Sequence, residues 1–204
     1  VFAFVSLASE VLEGESRAID TAILMWFRDP QNHELAYGPL WLHEMMRDLT
    51  ALGGIIVLTI ITLGVVFYMA ALKKYGQALY IACAVGSGVL LSNLLKIGFD
   101  RPRPDLVPHN SITYMASFPS GHSLMAAVVY LTLGVLLVET QKSIRIKIYI
   151  LGFMIFLAVI IGISRLYLGV HWPSDVLAGW LAGGAWALLA WLINQRIKMK
   201  YFNP

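Results

Sequence analysis

At 204 residues the chain has room for one domain, yet 58% of it is hydrophobic and only 13% charged, with a mean hydropathy of +0.71, outside the range of a water-soluble globular protein. The composition specifies an integral membrane protein. A formal charge of +3 does not point to nucleic acid, because the basic residues fall between apolar runs and form no contiguous patch, and the single cysteine, Cys83, excludes an intramolecular disulfide or a thiolate metal cluster.

The chain opens on VFAFVSLASEVL, without an initiator Met and without charge before Glu10, which predicts residues 1–11 as the tail of a first transmembrane span. Residues 12–48 are polar, with apolar side chains at helical spacing: Ile19, Ile23 and Trp26, then Leu42, Met45 and Met46. Such a pattern belongs to helices lying along the membrane surface. Charge-free windows follow at 49–72, 75–95 and 176–195, each long enough to cross roughly 30 Å of hydrocarbon as a helix. Two shorter windows, 123–138 and 148–164, cross when their polar flanks sit at the interface. With those flanks the spans read 49–72, 75–95, 120–138, 148–164 and 175–195. The expectation is an all-α polytopic bundle, one membrane-embedded domain of six spans with the first mostly missing from this sequence.

If each window crosses once, the connections at 73–74, 139–147 and 196 onward share one face, and 10–48, 96–122 and 164–175 share the other. The first face carries eight Lys and Arg, the second seven. Setting aside Lys96, Arg103 and Arg165 as ligand-bound leaves eight against four and places the second face outside. That face gathers the unusual polar residues. KIGFDRPRP carries Lys96 at the end of a span and Arg103 in a Pro-stiffened loop; FPSGH brings Ser120 and Gly121 to the start of the next span, with His122 in its first turn; SRLYLGVHWPSD carries Arg165, His171 and Asp175.

Taken singly, each part has a plain reading: a cation that snorkels to head groups, a Ser-Gly helix start, an acidic residue opening a helix. Together they supply what a doubly charged phosphate requires. Arg offers forked donors, Lys a point charge, and the Gly121 amide can approach closely because no Cβ intervenes. Two histidines fit the two jobs of an in-line displacement, attack on phosphorus and protonation of the departing oxygen. Asp175, four residues beyond His171 with Pro173 and Ser174 between them, can orient the imidazole and stabilise its cationic form.

Lys96, six residues, Arg103-Pro104; Pro119-Ser120-Gly121-His122; and Ser164-Arg165, five residues, His171, three residues, Asp175 resemble the complete three-part signature of the type 2 phosphatidic acid phosphatase family. The resemblance implies a metal-independent, cofactor-free membrane lipid phosphatase. It makes His171 the nucleophile that becomes a phosphohistidine, Asp175 its hydrogen-bonded partner, and His122 the general acid that later activates water. Lys96, Arg103, Ser120, the Gly121 amide and Arg165 would hold the phosphate oxygens. The expected partners are a lipid phosphate substrate and membrane lipids, with no nucleic acid and no indication of oligomeric state. The expected location is the inner (cytoplasmic) membrane, with the site facing the outside or periplasm. Candidate substrates are polyprenyl pyrophosphates such as the undecaprenyl carrier, phosphatidylglycerol phosphate, phosphatidate and lipid A phosphates.

A lipid phosphotransferase would use the same motifs. A non-enzymatic carrier of anionic lipid or phosphate is a more distant reading, and it would place its ionisable residues at mid-membrane on broken helices. Outside the motifs, Asp100, Arg101 and Asp105 read as local pairing partners, with a contact to a second phosphate as the alternative for Arg101, His33, His43 and His109 as bystanders, and Gly179, Gly183 and Gly184 as a small-residue packing face within the bundle.

Overall fold

The computed structural model describes residues 2–104 and 116–202; His109 and Asp105 lie outside the described residues. Among the described residues eight helices follow one another: α1 (Phe2–Glu13), α2 (Arg17–Met25), α3 (Leu40–Ala51), α4 (Ile55–Ala71), α5 (Tyr75–Ile97), α6 (Gly121–Glu139), α7 (Ile144–Tyr167) and α8 (Pro173–Phe202). By length and composition α5, α6, α7 and α8 can each cross a membrane, and a fifth crossing is counted when α3 and α4, bent by 47° at their junction, are taken as one broken span. The chain is an all-helical, multi-span membrane protein.

The long helices run past their charge-free windows. α7 begins ahead of Arg145 and Lys147 and ends beyond Arg165, and α8 continues through Arg196 and Lys198. Lys and Arg are good helix formers whose stems can lie along apolar surface while the charge reaches water. The window 49–72 behaves differently, since Gly53 and Gly54 interrupt it. Gly54 takes an extended conformation as the N-cap of α4, and a Cβ on Gly53 would collide with the Ile161 side chain and stand 3.5 Å from His122. Tyr130 on α6 donates to the Leu52 carbonyl freed by the break, at 3.0 Å.

α6 is the axis of the bundle, with 61% of its apolar window buried against 17–33% for the other spans. It packs on α4, α5, α7 and α8. The approach of α8 depends on glycine: a Cβ on Gly179 would stand 2.7 Å from the Ser120 carbonyl oxygen and 2.8 Å from Ser123 Cβ, and one on Gly183 would overlap the Leu124 carbonyl oxygen. Gly184 meets only Leu131, at 3.9 Å. Trp180 of α8 fills the space left by Gly162 on α7 and donates from Nε1 to the Ala158 carbonyl at 2.9 Å. The shorter α1 packs on α8, with Phe4 against Phe118.

The backbone atoms facing Gly179 cannot yield as a flexible side chain would. Gly179→Ala should therefore lower stability by about 1–3 kcal/mol, whereas Gly152→Ala, at a position with open space around it, should be neutral or slightly stabilising. Thermal melts of both variants in detergent check this; equal midpoints would show that α6 and α8 are not tightly apposed.

Candidate active site

Helix ends bring the motif residues together. Lys96 lies in the last turn of α5 and Arg165 in the last turn of α7. His122 is the second residue of α6 and Asp175 falls in the first turn of α8. Pro102 and Pro104 follow α5 and keep the chain from continuing as helix. Gly169, at φ 68°, turns it sharply after α7; Pro173 then opens α8, where its missing N–H costs nothing. Lys96 Nζ lies 3.3 Å from where a Cβ on Gly121 would stand, so the glycine leaves the ammonium room beside the first amides of α6. These ionisable groups sit at span ends rather than mid-membrane, which separates the arrangement from the carrier reading.

Among the described residues, neutral groups are the hydrogen-bond partners of Arg103 and Arg165. Arg103 Nη1 donates to the Val170 carbonyl at 3.0 Å and Arg165 Nη1 to Thr50 Oγ1 at 3.0 Å. The Nε of each guanidinium is buried without a partner. Lys96 feels the charge of both arginines, and they feel each other. Among the described residues, none of the three forms an ion pair with a carboxylate. Burial holds Arg103 below its usual pKa, with Asp175 opposing. Buried donors and unpaired positive charge are costly unless an anion completes them, and forked N–H groups beside a helix N-terminus match phosphate oxygens. Ser120 is fully buried; its Oγ accepts from Ser123 N at 3.5 Å and Ser123 Oγ at 3.0 Å, which leaves its own hydroxyl proton to donate. No group of three His, Cys, Asp or Glu side chains among the described residues is arranged to hold a metal.

His171 and Asp175 form the buried centre. His171 Nδ1 lies 3.4 Å from Asp175 Oδ2 and 3.4 Å from Ser117 Oγ. The same Oδ2 accepts the Ser117 hydroxyl and the Trp172 N–H at 2.9 Å, while Oδ1 accepts from Arg101 Nη1 at 2.7 Å. With Nδ1 turned to the carboxylate, Nε2 is the ring nitrogen left for other contacts. Burial pushes the His171 imidazole down to about 4, the hydrogen bond and charge of Asp175 resisting and Arg165 and Arg103 adding to the fall. His122 lies within electrostatic reach of Arg165, His171, Lys96 and Arg103.

Lys96, Arg103, Gly121, His122, Arg165, His171 and Asp175 thus converge on one end of the bundle, and Ser120 caps the helix that frames them. Arg101 is a pairing residue, but its partners are distant in sequence rather than local: its guanidinium binds Asp175, Ser174 and Asp20, which commits it away from a second phosphate. Asp100 and His33 are exposed, and the exposed His43 ring stands against Tyr167. Sequence reasoning passed over Ser117, Thr50 and Asp20. Ser117 could have been suspected from its place just ahead of the PSGH motif. Asp20 carried no signal, since Arg101 and Ser174, which its carboxylate contacts, are 81 and 154 positions away.

The PAP2 superfamily profile matches residues 77–199. The chain belongs to the PAP2 superfamily. It is 36% identical over 167 residues to phosphatidylglycerophosphatase B of Bacillus subtilis, covering 78% of each protein. It is 46% identical over 88 residues to an undecaprenyl-diphosphatase of Sulfolobus acidocaldarius, covering 43% of this chain and 35% of that one. Its fold superposes on the crystal structure of a transmembrane PAP2-type phosphatidylglycerolphosphate phosphatase from Bacillus subtilis with a TM-score of 0.80 at 30% identity, covering 99% of this chain and 96% of the other. As a PAP2 protein with such relatives, the chain is a hydrolase of the membrane lipid phosphatase class.

Below its pKa an imidazole is protonated and cannot attack; above it the base form is ready. Burial that pushes His171 down to about 4 therefore keeps its ring in the neutral form through pH 5, where an unperturbed histidine would be mostly protonated. Titration of 15N-histidine-labelled protein, with His171 assigned by its loss in His171→Gln, should show that ring still neutral at pH 5. A midpoint near 6.5 would show that burial does not govern it.

Proposed function

We propose that the chain removes the terminal phosphate of a lipid phosphate or diphosphate, with phosphatidylglycerol phosphate and polyprenyl pyrophosphates as the first candidates, through a phosphohistidine on His171. The observation that carries this reading is the set of cations, Lys96, Arg103 and Arg165, that form no ion pair with a carboxylate among the described residues and gather around a buried His171–Asp175 pair. The names of the similar proteins support the substrate class.

Phosphate oxygens are held by Lys96, the Arg103 and Arg165 guanidinium groups, the Gly121 amide and the Ser120 hydroxyl. His171 Nε2 attacks phosphorus; the N–P bond forms as the bond from phosphorus to the lipid oxygen breaks. His122 gives its proton to that oxygen, and the lipid product departs. Asp175 stays ionised and faces the imidazolium that the transfer creates. Neutral His122 then takes a proton from water, whose oxygen attacks phosphorus, and the N–P bond breaks to release inorganic phosphate and restore both histidines. Fixed positive charge suits the loose phosphoryl transition state, where positioning and electrostatics carry most of the rate.

A phosphate-release panel over purified lipid phosphates, run in chelator, tests the substrate class; dependence on one divalent metal would overturn the mechanism. His171→Ala should abolish the acid-labile, alkali-stable phosphoenzyme with every substrate. His122→Ala should lose about 100-fold or more with a lipid substrate and far less with an activated aryl phosphate, whose leaving group needs no proton. Label surviving in His171→Ala but absent from His122→Ala would reverse the two roles.

We further propose that the site faces the outside of the inner membrane, a reading supported by the eight-to-four balance of Lys and Arg once Lys96, Arg103 and Arg165 are set aside. In a Cys83→Ser background, cysteine at Asn32 should react with an impermeant thiol reagent in intact cells, and cysteine at Lys142 only after lysis. The opposite pattern would turn the site towards the cytoplasm.

A further inference from the structure

The carboxylate beside His171 is not held by the motif residues alone. Arg101 Nη1 donates to Asp175 Oδ1 at 2.7 Å and to Ser174 Oγ at 2.7 Å. Its Nη2 donates to Asp20 Oδ2 at 2.6 Å, and its guanidinium carbon stands 5.5 Å from the centre of the Trp172 ring. Asp20, on the short surface helix α2, is 2% exposed. Its Oδ1 accepts the Ser174 N–H at 2.8 Å and its Oδ2 the Ser174 hydroxyl at 2.6 Å. One cation thus lies between two buried carboxylates, one of which faces the nucleophile.

Charge counting shows what the outer carboxylate does. Asp20, Arg101 and Asp175 together carry a net charge of −1. Without Asp20 the remaining pair is neutral, and in a low-dielectric site the difference acts on His171 with little screening. When His171 bears the phosphoryl group on Nε2 and a proton on Nδ1, its ring is cationic. We infer that Asp20 is a positioning residue of the active site: by neutralising Arg101 it leaves the Asp175 charge to the cationic His171 phosphoenzyme, while Arg101 fixes Oδ1 so that Oδ2 faces the ring. The α2 helix is therefore part of the catalytic apparatus, although Asp20 touches neither His171 nor a phosphate.

This inference rests on the proposed phosphohistidine reaction, and the test separates the two. The full chain in detergent is first shown to release phosphate from a lipid phosphate and to form the phosphoenzyme; failure there refutes the reaction, not the role of Asp20. Asp20→Asn keeps acceptors for Ser174 but removes the charge, and should lower kcat about tenfold or more with KM changed far less. Arg101→Gln keeps a donor for Oδ1 but leaves two carboxylates facing each other, and should also be impaired. The double variant Asp20→Asn/Arg101→Gln restores the net charge of −1 and should turn over faster than either single variant. In an Asp175→Asn background, Asp20→Asn should cost less than threefold.

A merely structural role predicts the reverse: losses that accumulate in the double variant and do not depend on Asp175. A double variant no faster than the slower single one, or a wild-type kcat in Asp20→Asn, overturns the inference. If Asp20→Asn alone does not purify folded, the double variant read against Arg101→Gln gives the same decision, as removing the like-charge contact must then raise kcat.

Discussion

Mutual repulsion among Lys96, Arg103 and Arg165 is the constraint around which the rest of the site is built. Cations this close in a largely buried pocket would separate unless the backbone held them, and helix geometry does so. Lys96 and Arg165 sit at the C-terminal ends of α5 and α7, where the helix dipole favours positive charge. α6 points its N-terminus into the same space, adding amide donors without another side chain to repel. Opposing helix directions therefore converge on one requirement, an anion with several oxygens.

Holding the helix ends in place falls to the interior of the bundle. α6 is central because its neighbours come close enough to enclose it, and Gly179 and Gly183 on α8 set that closeness by leaving α6 backbone in direct contact. In lipid, where apolar surface alone gives little reason for helices to associate, such packing carries the assembly. The α3–α4 break belongs to the same frame. Its free Leu52 carbonyl is tied to Tyr130, its Thr50 hydroxyl to Arg165, and Gly53 faces His122.

Much of this was legible in the sequence because its signals are local. Lys96, Arg103, His122, Arg165, His171 and Asp175 lie in compact motifs at the edges of apolar windows, and the alternation of those windows is enough to bring them to one face. Where the reading went astray, the cause was contact over long sequence separation or a competing local signal. Residues 49–72 contain no charge, so hydropathy alone draws one straight helix; the Gly53–Gly54 pair bends it, and Ile161 packs where a Cβ would stand on Gly53. Arg101 is two residues from Arg103 and carries the same charge, yet the chain turns one towards the anion pocket and the other towards Asp20 and Asp175. Nothing in residues 12–48 announces that Asp20 is buried, because its partners lie on α8 and in the stretch after α5.

The backbone hydrogen bond from Ser120 N to the Asp175 carbonyl oxygen, at 2.9 Å, joins the start of α6 to the start of α8. The helix start that carries His122 and the one that carries the carboxylate beside His171 are thus tied main chain to main chain, so their spacing does not depend on the rotamer of any side chain.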